Sequence, residues 1–145
     1  MVTSLILSRY SKGGAPGPGA SRRINGGPIY PHAEVLNLLS QEVEVRPVTR
    51  TCIDDVQNLN LNNAGLVSLL TRAVTHGQYL NAQWCETGKP GVWAACDAYK
   101  VSRSEQGQHA EQELELPLYV KFCIGKKGVI MLLISCHHSD HWEDL

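Results

Sequence analysis

No stretch of this chain is apolar for long enough to cross a membrane. Its longest apolar run, Val129 to Ile134, is six residues, where a helical span needs about 20. Met1 to Tyr10 lacks the basic start and the apolar length of a signal peptide, although Leu5, Ile6 and Leu7 form a short patch. The chain has no basic excess: 13 Lys and Arg stand against 14 Asp and Glu. A polyanion binder usually advertises itself by such an excess. The five cysteines (52, 85, 96, 123 and 136) contain no CxxC pair and are odd in number, which argues against a zinc ribbon or a disulfide framework. Reduced thiols in a cytoplasmic protein are expected. Walker, GxGxxG and GxSxG patterns are missing as well. The GAPGPG run has no preceding strand and no closing Lys-Ser/Thr, so it reads as a linker rather than a phosphate loop.

What is present suits one globular domain. The 145 residues are 43% apolar and 19% charged. Residues 11–28 contain eleven Gly, Pro or Ser, a composition that buries too little apolar surface to offset ordering entropy. Residues 1–28 are therefore expected to be a flexible tail, with Arg9, Lys12, Arg22 and Arg23 giving it a charge of +4. A single domain is expected over 29–145, closing in an acidic tail with Asp140, Glu143 and Asp144.

Pro31 opens a helix with Val35, Leu36, Leu38 and Leu39 on its apolar face. The alternation over 42–48 suits a short edge strand ended by Pro47. Thr51 is expected to cap a second helix, with Asp54 and Asp55 in its first turn. Asn62 or Asn63 caps a third, with Leu66, Leu69, Leu70 and Val74 in one stripe and Gly77 at its end. The period then changes to that of strands: 79–84, 92–101, 116–124 and 129–137, with 102–113 as a long hairpin loop and 125–128 as a tight turn. The expectation is an α+β fold: an antiparallel sheet of three to four strands packed against N-terminal helices.

Three constellations could carry chemistry. Alternation sets Tyr119, Lys121 and Cys123 on one face of a strand. Hairpin pairing about 125–128 then brings Tyr119 and Lys121 close to Ser135 and His137. A phenol, an ammonium and an imidazole at one sheet end suit RNA cleavage by 2′-hydroxyl attack: His moves the proton, and Lys and Tyr stabilise the phosphorane charge. The same residue types also suit plain strand positions. His137, His138, Asp140 and His141 form a second cluster. It straddles a strand end and a tail, which suits weak, opportunistic metal binding rather than a built site, and no metal or cofactor is expected. Cys96 or Cys123 could serve as nucleophiles, but no catalytic signature surrounds them, and small buried residues are the usual role. Trp84 and Trp93 read as core.

The order of segments resembles the MqsR family of bacterial type II toxins, messenger-RNA endonucleases of the RelE-like fold. The resemblance spans Pro31 to His138. It is carried by PHAEVLNLLSQ and VEVRPVTR, by TCIDDVQNLNLNNAGLVSLLTRAV, by the CDAYKV strand, and by LYVKFCI with VIMLLISCH. It implies catalytic roles for Tyr119, Lys121 and His137, with His138 beside them. It matches Asp97 and Tyr99 to the family's earlier strand. It also implies mRNA as substrate and a cognate, DNA-binding antitoxin as partner. RNA contacts are expected from Tyr99, Lys100, Arg103, Lys126 and Lys127. The chain departs from the family at Leu80 and Asn81, where a catalytic Lys falls, and at Cys96, where a Gln falls. A degenerate, protein-binding module on the same scaffold is the alternative reading.

Overall fold

The computed structural model describes residues 5–102 and 117–138. In chain order the elements are β1 (Leu5–Ile6), β2 (Arg23–Ile24), α1 (His32–Ser40), β3 (Glu44–Pro47), α2 (Arg50–Asn58), α3 (Asn63–His76), β4 (Gln78–Glu86), β5 (Val92–Val101), β6 (Leu118–Ile124) and β7 (Ile130–His138). This is an α+β-type arrangement of three helices and one sheet. None of the helices among the described residues is long and apolar enough to cross a membrane.

The expected antiparallel meander is present as β4–β5–β6–β7, but the sheet is larger than three or four strands and is mixed. Among the described residues it has seven strands in the order β2-β4-β5-β6-β7-β3, with β1 beside β5. β3 pairs with β7, and β1 with β5, in parallel. β3 does lie at an edge, and that edge is blunted. The outward Val45 N–H is taken by the Asn63 side chain at 2.8 Å, and Pro47 has no N–H to offer.

The helices form for the expected reasons, with one shift. Val35 and Leu39 bury the inner face of α1. In α3, Asn62 Oδ1 accepts the Gly65 N–H at 2.8 Å, and Leu66, Leu69, Leu70, Ala73 and Val74 are buried. Gly77 ends α3 because a Cβ there would lie 2.5 Å from the Ala73 carbonyl and 2.8 Å from that of Lys100. The cap of α2 is Thr49 rather than Thr51. Its hydroxyl accepts the Cys52 N–H and donates to the Ile134 carbonyl, both at 3.1 Å. The helix therefore starts two residues early, and Asp54 and Asp55 fall beyond its first turn. The helical side chains meet Tyr99, Val101, Leu118, Val120 and Phe122 in one core.

Residues 5–28, expected to lie in a flexible tail, carry β1 and β2, and both strands join the sheet. β5 and β6 pair only over Asp97–Val101 and Leu118–Phe122. Beyond that point they part, and residues 5–9 lie between them. On one side, Leu5 and Leu7 donate to the Gly91 and Trp93 carbonyls, each at 2.8 Å. On the other, Arg9 donates to the Ile124 carbonyl at 2.8 Å, and Lys126 donates to that of Leu7 at 2.9 Å. At the fork Ala95 has no strand neighbour on this side. The fully buried Ser8 hydroxyl accepts the Ala95 N–H at 2.9 Å, and the Tyr30 hydroxyl donates to the Ala95 carbonyl at 2.7 Å. Further along, β2 pairs with β4. Gly27 fits against Tyr79, where a Cβ would collide with the phenol oxygen.

Replacing Ser8 by Ala leaves the buried Ala95 N–H without an acceptor. The expected loss is about 1–3 kcal/mol of unfolding free energy, read as a lower urea midpoint at unchanged slope. A midpoint within error of the parent would show that the fork tolerates an unmet donor.

Candidate active site

At the open end of the β6–β7 hairpin the expected proximity is present. Tyr119 stands opposite His137 and Lys121 opposite Ser135. The register then shifts between Lys121 and Phe122, where Ile134 is the extra residue on β7. The Tyr119 and His137 rings stack with centroids 5.1 Å apart and planes 16° from parallel. The Lys121 Nζ lies 5.6 Å from the Tyr119 ring centre. His137 Nδ1 is 2.9 Å from the His138 carbonyl oxygen. A carbonyl can only accept, so Nδ1 carries the hydrogen, and Nε2 of the neutral ring is the basic nitrogen. His138 itself is exposed at the end of the strand.

Lys121, Ser135 and His137 line an open groove of 380 Å³. Thr49, Thr51 and Asp55 of α2 line it as well, with Gln83, Cys85 and Glu86 of β4 and Arg22 just before β2. Tyr119 backs the groove through its stacked partner and is 8% exposed. Burial works against the Lys121 charge. The Cys85 sulfur, the Tyr119 phenol and the Cys96 sulfur more than offset it, and the lysine pKa lies above its ordinary value.

Straight rows of side chains run across the sheet. Asn81 faces Ala98, Ala98 faces Lys121, and Lys121 faces Ser135. Next along β4, Gln83 stands opposite Cys96. The position that the resemblance gives to a glutamine thus has a glutamine as its cross-strand neighbour. Gln83 escaped the sequence reading because β4 offered no motif, and Arg22 entered it only as one of four tail cations that could attract RNA, because its segment was placed outside the fold. Thr49, Thr51 and Asp55 reach the groove only through the docking of α2 on β7.

Other expected residues lie elsewhere. Lys126 and Lys127 sit at the turn, at the opposite end of the hairpin, beside a separate hollow lined by Leu7, Arg46 and Ile130. Lys100 is the cross-strand partner of Tyr119 but lines a different hollow with Arg72 and His76. Tyr99 is a core residue at 2% exposure. It stacks on Phe122 at 5.8 Å, and its hydroxyl lies 2.9 Å from His32 Nε2. Arg103, Asp140 and His141 lie outside the described residues. Among the described residues no group of three His, Cys, Asp or Glu could hold a metal ion.

Asp97 is a latch. Its buried carboxylate accepts the Ile29 and Tyr30 N–H groups at 3.0–3.1 Å and the Tyr79 hydroxyl at 3.2 Å. Burial nevertheless keeps its pKa above the ordinary carboxyl value, with the two backbone donors opposing. The cysteines are all free and buried. Burial pushes the Cys52 thiol up to about 12, the neighbouring Cys96 thiol and burial raise Cys85, and burial raises Cys96 well above its usual range. These three thiols are neutral at physiological pH and do not act as nucleophiles.

Two measurements check this description. Asp97→Ala strips the acceptor from two backbone donors and should lower stability by about 3 kcal/mol; a loss under about 1 kcal/mol would show the latch to be incidental. Thiol titration of the native chain should proceed far more slowly than in denaturant, where all five cysteines react. Fast native labelling of Cys85 or Cys96 would overturn their burial.

Comparison of the chain with protein-family models, with curated proteins and with solved structures gives no match.

Proposed function

We propose that this chain is an endoribonuclease of the MqsR toxin type, built on a RelE-like scaffold and acting on mRNA in the cytoplasm. The observation that carries the reading is the Tyr119–His137 stack at 5.1 Å with Lys121 beside it at the edge of an open groove. The scheme runs without a metal. His137 Nε2 takes the proton of a ribose 2′-hydroxyl, whose oxygen attacks the adjacent phosphorus. Lys121 faces the charge that builds on the non-bridging oxygens, and the Tyr119 phenol donates to the same phosphate. The P–O5′ bond breaks, and His137 returns its proton to the leaving oxygen. The products are a 2′,3′-cyclic phosphate and a 5′-hydroxyl end. His138, next along the strand, is the second candidate for proton transfer. Of the cations expected to contact RNA, Lys100 is the cross-strand partner of Tyr119. A cognate antitoxin would hold the enzyme inactive.

One feature favours the second reading, a protein-binding module that has lost the chemistry. Asp55 and Glu86 line the groove and offset the charges of Lys121 and Arg22.

Expression from a tightly repressed promoter separates the two. The nuclease reading expects growth arrest and new RNA ends bearing 5′-hydroxyls. His137→Ala and Lys121→Ala should each cut the cleavage rate by about 10²-fold or more, and Tyr119→Phe by less. Soluble, folded protein that neither slows growth nor produces new ends would leave the binding module as the reading.

A further inference from the structure

Among the described residues, three arginines pair with glutamates, and two of them commit both prongs of the guanidinium. Arg9 meets both oxygens of Glu34, and Arg46 meets both oxygens of Glu44. Arg22 differs. Its contact to Glu86 is a single one at 3.4 Å, long for a charge-assisted bond. Glu86 is held independently, since its other oxygen accepts the Gly91 N–H at 3.2 Å. It stays in place whether or not Arg22 does.

Arg22 is also well positioned. Its carbonyl accepts the Trp84 N–H at 2.8 Å, and the next residue pairs with Gln83. Its guanidinium carbon lies 4.9 Å from the centre of the Trp93 ring. The side chain is 53% exposed and stands between two hollows: it lines the groove of Lys121 and His137, and with Glu86 and Trp93 a second hollow beside it. A fixed backbone and a half-used fork at the rim of the groove suit bidentate capture of a phosphate.

We propose that Arg22 is the second phosphate-binding residue of this groove. A single RNA strand crosses it with the scissile phosphate at Lys121 and another phosphate of the same strand on the Arg22 fork. The inference rests on the nuclease reading above. Binding exchanges the long Glu86 contact for a phosphate, so Glu86 weakens RNA affinity and restrains Arg22 when no RNA is bound. The N-terminal segment thereby forms part of the substrate site.

The test uses the full chain carrying His137→Ala and a fluorescently labelled single-stranded RNA dodecamer of mixed sequence. Anisotropy is followed from about 50 to 200 mM salt. Adding Arg22→Ala should weaken binding about tenfold and flatten the log–log salt dependence by about 0.7, one phosphate contact on a single strand. Arg22→Lys should keep the slope and recover only part of the affinity, and Glu86→Gln should tighten binding. A folded Arg22→Ala protein with unchanged slope and affinity would overturn the assignment. So would Glu86→Gln without effect combined with full affinity in Arg22→Lys. RNA that binds and is cut with Arg22 indifferent removes this inference alone. A parent that binds no RNA removes it together with the nuclease reading.

Discussion

Where β5 and β6 part, the peptide groups of Ala95 face a gap, and a buried peptide group left unpaired costs about 1–3 kcal/mol. Much of the molecule is arranged around meeting that demand. Ser8 supplies the acceptor and Tyr30 the donor, and each is there only because its own segment is tied down. Residues 5–9 are bonded to both strands of the fork. Tyr30 is placed by the Asp97 carboxylate, which holds the Ile29 and Tyr30 amides at the start of the run into α1. On the far side of β5, β4 pairs with β2, which follows directly on Arg22.

The groove depends on a second constraint, the register of the β6–β7 hairpin. A side chain in a strand changes face with every one-residue slip. Next to the turn, Ile124 stands against Met131 and Phe122 against Leu133, all buried in the core. The Ile134 bulge then absorbs one residue and thereby brings Lys121 against Ser135 and Tyr119 against His137. The same strand thus feeds the core at one end and the groove at the other. Ile134 is also where α2 attaches, through the Thr49 hydroxyl. The helix wall and the strand floor of the groove are therefore joined at the irregular point of the sheet.

How much of this was readable in the residues depended on how local its causes are. The α1 and α3 stripes, the Asn62 cap and the Gly77 stop follow from neighbours within a few positions, and they stand as expected. The start of α2 did not, because Thr49 and Thr51 are equivalent caps on paper and the choice is made by a carbonyl 85 residues away. Tyr99 was assigned to RNA although alternation from Asp97 turns it toward the core with Val101. The pairing of the N-terminal segment was not legible for a more instructive reason. Composition counts apolar side chains, and the few here, such as Ile6, Leu7 and Tyr10, pack on the core only because main-chain bonds, the Ser8 hydroxyl and the Arg9–Glu34 pair hold the segment in place, and composition does not record those bonds.

The insertion of residues 5–9 between strands more than eighty positions downstream also fixes an order of events. Their partners at Gly91, Trp93, Ile124 and Lys126 leave the ribosome long after they do. β1 is synthesised before its partners and has to wait for them to dock. Contacts so distant along the chain slow folding and keep intermediates open for longer. A growing chain can complete α1 to α3 early. It cannot close the fork, seat β1 or fix that segment's side of the groove until the β6–β7 hairpin has emerged, so the groove matures only after that hairpin.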